Sequence, residues 1–353
     1  MKTGLGHSIH LLTGIVLAFL LHSCAGDKEY VPDVSGIKTD FKVVQTEKDI
    51  FFRPYPHTGQ SLDSLKSRYP GFYGIYFQHI LPLYTGTNND SLALELNAFV
   101  RDSSIAALAE TVRKSFGEMG AFNHDFDQYF RYLKYYFPAY NTPDLYTCIS
   151  EFAYQVFVFE AEKGKDGIGI GLDMFLGPEY NYKAIAPDNP AFSDYLTRTW
   201  DRNHIVRKVN DVIVYDLLDE PPGLRLLDQM LWHGKALYIT NLLMPMAHDS
   251  IILEYTAQQV DWCKDNELEM WAFFLDQNLI YESNPAKITK YISPAPNSPG
   301  MPEGAPGRTA NYIGWKIIDA YMKRYPDTSL NDLINLKDSQ EILDKSKYKP
   351  RRK

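Results

Sequence analysis

The residues able to do chemistry in this chain exclude more by their spacing than they admit. The nine histidines are His7, His10, His22, His57, His79, His124, His204, His233 and His248, and no two are four apart. A helical zinc-hydrolase site needs two histidines at i and i+4 with a glutamate between them as base. The segment where such a pair would be sought reads only His204-Ile205-Val206-Arg207-Lys208. Neither a Gly-x-Ser-x-Gly elbow nor a Gly-x-x-x-x-Gly-Lys-Ser/Thr phosphate loop is present. Gly167-Ile168-Gly169-Ile170-Gly171 alternates at period two, as in a strand with one face packed closely against another backbone rather than in a nucleotide loop. These absences lead us to expect no catalytic residue, no bound metal and no cofactor.

What remains is a set of polar residues embedded in apolar, aromatic-rich sequence. Asp173 lies in Gly171-Leu172-Asp173-Met174-Phe175; Asp228, His233 and Lys235 lie between Leu226 and Tyr238; Arg308 follows Pro306-Gly307. A charge held near a core costs several kcal/mol unless it is paired. The first expectation is that these residues pair with one another and pin the fold. The second is that they form a ligand cleft made of Asp173, Asp228, His233, Lys235 and Arg308. Gly307 is the natural place for a sharp turn into a new helix, and Gly314 then permits close helix packing. Arg308 at that helix start faces the wrong end of the dipole, so Asp173 or Asp228 is the partner expected for it.

These residues must be positioned by elements that the hydrophobic period outlines. Phe41 to Phe52 alternates and reads as a first strand. From Ser61 the period turns helical, and Asp102 or Ser103 caps a helix with Ile105, Leu108, Val112 and Phe116 on one face. Between Leu145 and Phe175 the period returns to two, which predicts an antiparallel meander of three strands with a turn at Gly164 to Gly167. Helical patterning then resumes through Ile205 to Ile213 and Leu227 to Leu237. Thr256 to Gln259 has the spacing of a capping box that opens a helix running to Phe274. The predicted fold class is α+β, predominantly helical, with a short antiparallel meander packed against helices.

The chain begins with Lys2, an uncharged run from Leu11 to Leu21, and then Leu21-His22-Ser23-Cys24. The run is shorter than the ~20 residues a membrane-spanning helix takes and has the order of a secretory signal. Its end resembles the lipobox of bacterial lipoproteins, with His22 as a departure, which implies acylation at Cys24 and cleavage before it. The expected organisation is a signal peptide at 1–23, a lipid anchor and tether at 24–40, one globular domain at 41–344 and a basic tail at 345–353. Without residues 1–23 the chain carries 35 basic against 44 acidic residues, a balance of −9, which argues against nucleic acid as a partner. Cys148 and Cys263 lie in apolar segments and are expected to be buried free thiols, although a bridge is open to them in an oxidising compartment.

At the same residues the sequence resembles the gliding-motility lipoprotein family GldB of Bacteroidetes. The resemblance rests on Gly171 to Gly177, Leu227-Asp228-Gln229-Met230 with Gly234-Lys235-Ala236-Leu237-Tyr238, Tyr255-Thr256 with Gln259 and Trp262-Cys263, Pro306-Gly307-Arg308 with Gly314-Trp315, and the ending Ile342 to Pro350. It implies an envelope lipoprotein, held to the inner or outer membrane by its lipid, whose domain lies in the periplasm and whose partners are other motility and secretion proteins. The domain also looks similar to gluzincin peptidases with the metal ligands gone, which implies a degenerate, inactive scaffold. The expected function is a non-catalytic assembly or support component. The alternatives are a peptidase or other hydrolase with an unrecognised site, and a glycan- or peptide-binding lipoprotein suggested by the 25 tyrosines.

Overall fold

The computed structural model describes residues 31–81, 83 and 88–350. The signal region, Cys24 and the last three residues lie outside this range. The first strand is shorter than its alternation predicts. β1 (Val43–Gln45) gives way at once to helix α1 (Thr46–Phe51). The Thr46 hydroxyl donates to the Thr147 carbonyl at 2.6 Å, and the Glu47 carboxylate accepts the Thr147 hydroxyl at 2.7 Å, so the chain is bent out of the sheet after three residues. Helices α2 (Gly59–Arg68), α3 (Pro70–Ile75, continued by a π turn through Ile80), α4 (Asn89–Arg101), α5 (Ser103–Phe116) and α6 (Gly120–Tyr136) follow. Asp102 caps α5 by accepting the Ser104 and Ile105 N–H groups, and Ile105, Leu108, Val112 and Phe116 are all buried as their spacing predicts.

The sheet departs from the expected meander. β2 (Asp144–Cys148), β3 (Val156–Glu162) and β4 (Lys165–Gly171) join β1 in the order β1-β2-β4-β3. β1 and β4 both run parallel to β2, and only β3 pairs antiparallel, with β4. The cause is the link after β2. Glu151 and Phe152 take left-handed backbone angles, φ 54° and 62°, and the turn they make is tied to Asp173 just past β4. β3 is thereby carried beyond β4, and β4 enters between its neighbours. A parallel central strand is covered on both faces, and every residue of β2 is buried.

One sheet face, with Leu145, Ile168 and Ile170, packs on α6 and on α8 (described below); the other, with Tyr146, Cys148, Phe157 and Phe159, packs on α2 to α4. The alternating glycines of β4 do face close neighbours: backbone at Gly171, where a Cβ would fall 2.2 Å from the Tyr154 carbonyl oxygen, and a pair of rings at Gly167 and Gly169. Phe157 and Phe159 pair across the strand with Gly169 and Gly167, and a Cβ at position 169 would fall 2.1 Å from the Phe157 ring.

The second half is helical. It comprises α7 (Asp194–Thr197), α8 (Ile205–Leu218), α9 (Leu226–Leu243), α10 (Asp249–Leu253), α11 (Ala257–Asp265), α12 (Glu267–Asp276), α13 (Pro285–Ile292), α14 (Thr309–Arg324), α15 (Leu330–Asn335) and α16 (Ser339–Ser346). The Thr256 capping box is formed, but the helix it opens stops at Asp265 and resumes at Glu267. α9 and α14 form the most extensive helix contact and the axis of a second core cluster. Their backbones meet where Gly234 faces Gly314: a Cβ at 314 would lie 1.9 Å from the Met230 carbonyl oxygen.

Both expected domain limits move outward. The compact unit begins at Val34, not Phe41, because Val34 is buried and Arg131 of α6 donates to the Ser35 carbonyl at 2.6 Å. Thr39 and Asp40 are held by Asp127 and Lys134 of the same helix. At the other end the region read as a basic tail is part of the fold up to residue 350: Ser346 is buried, and Tyr348 packs edge-on against Trp271 while donating to Glu267 at 3.0 Å. No helix among the described residues is long and apolar enough to cross a membrane.

Glu47 yields a pH prediction. Burial pushes its carboxyl up to about 7, against the lowering effect of the Thr147 and Gln45 bonds. A carboxyl raised in the folded state favours folding below its unfolded value of 4.5, and that contribution is lost as pH rises through 7. Glu47→Gln should therefore gain at least about 1 kcal/mol over the parent at pH 8 and nothing at pH 4. Urea melts at the two pH values measure this, and equal gains at both would contradict it.

Candidate functional site

The five polar residues of the expected cleft are all held by partners, but not by one another. Asp173, fully buried, accepts the Ser150 N–H at 2.8 Å, the Phe152 N–H at 2.5 Å and the Ser150 hydroxyl. Burial pushes its carboxyl up to about 6 against those donors. Its work is to hold the strained turn after β2. Asp228 sits in the first turn of α9 and accepts both the Arg225 N–H and the Arg225 guanidinium, at 2.8 to 3.1 Å. Burial opposes ionisation there, and Arg225 and Ser339 overcome it, so the carboxyl lies below its usual range. This is helix capping with an ion pair added. Lys235, buried in mid-helix, donates to the Leu336 carbonyl at 2.6 Å, and burial with the nearby Lys337 charge pushes its ammonium down to about 8. The expected pairing of Arg308 with Asp173 or Asp228 is not formed, and the expected five-residue cleft is not assembled.

Arg308 instead enters a cluster centred on Glu254. The short helix α10 ends on Glu254 in the left-handed conformation, φ 54°, with the Glu254 and Tyr255 N–H groups closing back on Ile251 and Ser250. That ending turns the Leu253 and Glu254 carbonyls and the buried Glu254 carboxylate toward the cations of α7, α8 and α14. Arg308 donates to the Glu254 carboxylate at 2.8 Å and to the Leu253 carbonyl at 2.9 Å. Lys208 forms an ion pair with the second carboxylate oxygen. Arg207, also buried, donates to the Ile252 carbonyl at 2.9 Å and pairs with Asp211 one turn along α8. Arg198, just after α7, donates from one terminal nitrogen to the Glu254 carbonyl at 2.9 Å.

The expected turn is present, but its left-handed residue is Arg308 (φ 59°) and not Gly307. Gly307 is needed for space: a Cβ there would fall 2.4 Å from the Ala295 carbonyl oxygen, and its own carbonyl accepts the Tyr255 hydroxyl at 2.6 Å.

The electrostatics of the cluster are strongly positive. Burial alone would raise the Glu254 carboxyl, but Lys208, Arg308 and Arg207 together hold it well below the usual carboxylate range. His233 is pushed down to about 4, first by burial and then by the Arg308 charge, so it is neutral; its Nδ1 lies 3.0 Å from the Tyr215 hydroxyl. Sequence reasoning missed Glu254 and Arg207. The signal that picked out Asp173 was available for Glu254 too: one carboxylate inside Ile251-Ile252-Leu253-Glu254-Tyr255.

Cys148 and Cys263 are free and buried, in different core clusters; burial raises both thiols, Cys263 to about 12. Among the described residues no three of His, Cys, Asp and Glu come together in a group that could hold a metal ion. Residues 27–350 match the family described as Gliding motility protein GldB. No curated protein matches the chain significantly, and no solved structure does.

Proposed function

The chain belongs to the GldB family of gliding motility proteins, and on that premise we propose that it is a lipid-anchored, non-catalytic component of the cell envelope that supports assembly of the gliding and associated secretion machinery. The observation that carries the reading is the extent of the match, 27–350, which takes in the whole compact unit but for its last residues. It is supported by the way the polar residues are used. Asp173 holds a turn, Asp228 caps a helix, Lys235 ties α9 to the segment before α16, and Arg308 binds Glu254. A nucleophile or general base must instead keep a reactive atom free to meet substrate. The same reading takes the domain as a gluzincin-like frame without metal ligands, and its only support is the order of elements: the long helix α8 follows the sheet, and His233-Gly234-Lys235 lies on the next helix, α9.

Cys24 is the residue on which the anchor depends. Cys24→Ala should abolish incorporation of labelled palmitate and lipoprotein-type processing while the domain still folds. Label entering the variant would overturn the anchor. The support role is tested by recovering the tagged chain from its own envelope: motility or secretion components should accompany it. Cleavage of a peptide library by the purified chain would show that the protein is an enzyme.

A further inference from the structure

We propose that the cavity bounded by Arg198, Lys208, Glu254 and Arg308 is a binding seat for a carboxylate. Arg198, Arg207, Lys208 and Arg308 converge on Glu254 and Asp211, four cations against two carboxylates. Arg198, Lys208 and Arg308 line the cavity half-buried and share one carboxylate, Glu254; the excess of two positive charges has no further anion among the residues the cavity touches.

Arg198 spends one terminal nitrogen on the Glu254 carbonyl, while its Nε–H is buried and has no acceptor among the described residues. Arg198 lines the cavity, and a planar guanidinium edge is the natural partner of a carboxylate. Burial first and the Arg308 charge second keep His233 neutral and lower the Arg198 guanidinium.

The cavity holds about 40 Å³. One water needs roughly 10–15 Å³ on this measure, so there is room for about three waters, or for a carboxylate with its carbon. Tyr195, Pro294 and Ala295 complete the wall. A tetrahedral phosphate brings four oxygens where the lining residues leave one guanidinium N–H without an acceptor, and is the poorer match. The carboxylate can belong to a free small acid or to the C terminus of a polypeptide. The inference goes beyond the support role and does not depend on the anchor.

The test is calorimetric titration of the full chain in detergent, at constant ionic strength, with acetate, inorganic phosphate, chloride, and triglycine with a free or an amidated C terminus. Acetate and free triglycine should bind, and phosphate, chloride and the amide should bind at least about tenfold more weakly. Tighter binding of free triglycine than acetate identifies a polypeptide terminus as the source; the reverse identifies a free acid. Binding of phosphate as strong as that of acetate, equal binding of the two triglycines, or no heat from either carboxylate would overturn the proposal.

Arg198→Met should lose at least about tenfold in acetate affinity, yet melt no lower than the parent in carboxylate-free buffer, because it removes an excess charge. A variant that melts lower and keeps its affinity would show Arg198 to be only a structural tie. Where the variant does not accumulate, the titration of the parent chain decides.

Discussion

Replacing Glu254 by Gln is expected to cost about 3–5 kcal/mol of stability at pH 7, the range for removing one partner of a buried pair. The carboxylate is buried, bridges Lys208 and Arg308, and ends the helix whose carbonyls Arg207, Arg198 and Arg308 bind. Glutamine keeps the shape and some hydrogen bonding but leaves the cations opposed by Asp211 alone. The pH dependence has a definite sign. Burial opposes ionisation, Lys208, Arg308 and Arg207 more than reverse that, and the folded carboxyl lies well below its unfolded value of 4.5. Its contribution is therefore present above about pH 4.5 and lost as pH falls through the folded value. Urea melts from pH 3 to pH 8 should show the parent and the variant converging in acid. A double-mutant cycle with Arg308→Met should give strong coupling. A loss at pH 7 no larger than that of Asp319→Asn, which breaks the exposed pair with Lys323, would mean that Glu254 does not organise the cluster.

The second large effect is expected at Gly314. Glycine in a helix interior is destabilising by about 1 kcal/mol relative to alanine, so Gly314→Ala would stabilise an isolated helix. Here the added Cβ would lie 1.9 Å from the Met230 carbonyl oxygen of α9 and 2.7 Å from its carbon. Backbone cannot swing away as a side-chain tip can. The helices must separate, and with them the core built by Leu227, Leu231, Ile313 and Ile317. Overpacking typically costs 1–3 kcal/mol and sometimes more; with so many buried groups moved together, we expect a net loss above about 2 kcal/mol. Gly74→Ala is the control, because nothing lies within 4 Å of a Cβ there. Thermal melts should place the two variants on opposite sides of the parent.

What the sequence disclosed, and what it did not, follows from the range of each interaction. Caps at Asp102 and Thr256 are set by residues two or three positions away, and both form as their spacing predicts. The Gly/Ile alternation told which residues share a face of β4. It carried no information on which strand lies alongside, so parallel pairing of β2 with β4 was invisible. Phe41 to Phe52 alternated far enough to suggest a long strand, but contacts with Thr147, about a hundred residues on, turned most of it into a helix. Buried charge could be recognised from apolar surroundings, as at Asp173, Lys235 and Arg308. Its partner could not be read, since Glu254 reaches Arg308 only through the packing of α10 against α14.

The pairing of β1 with β2 bears on the order of folding. Val43 and Leu145 are register partners, so all of α1 to α6 lies in the loop that this pairing closes. Closing a loop of that length costs about 4 kcal/mol in chain entropy, and a strand of three residues returns little for it. The helices inside the loop make contacts that are local in sequence and can form first. β1 should then be the last strand to lock. A chain cut short before Leu145 would hold those helices with no sheet to cover, and its apolar face would be open to a quality-control protease until β2 arrived.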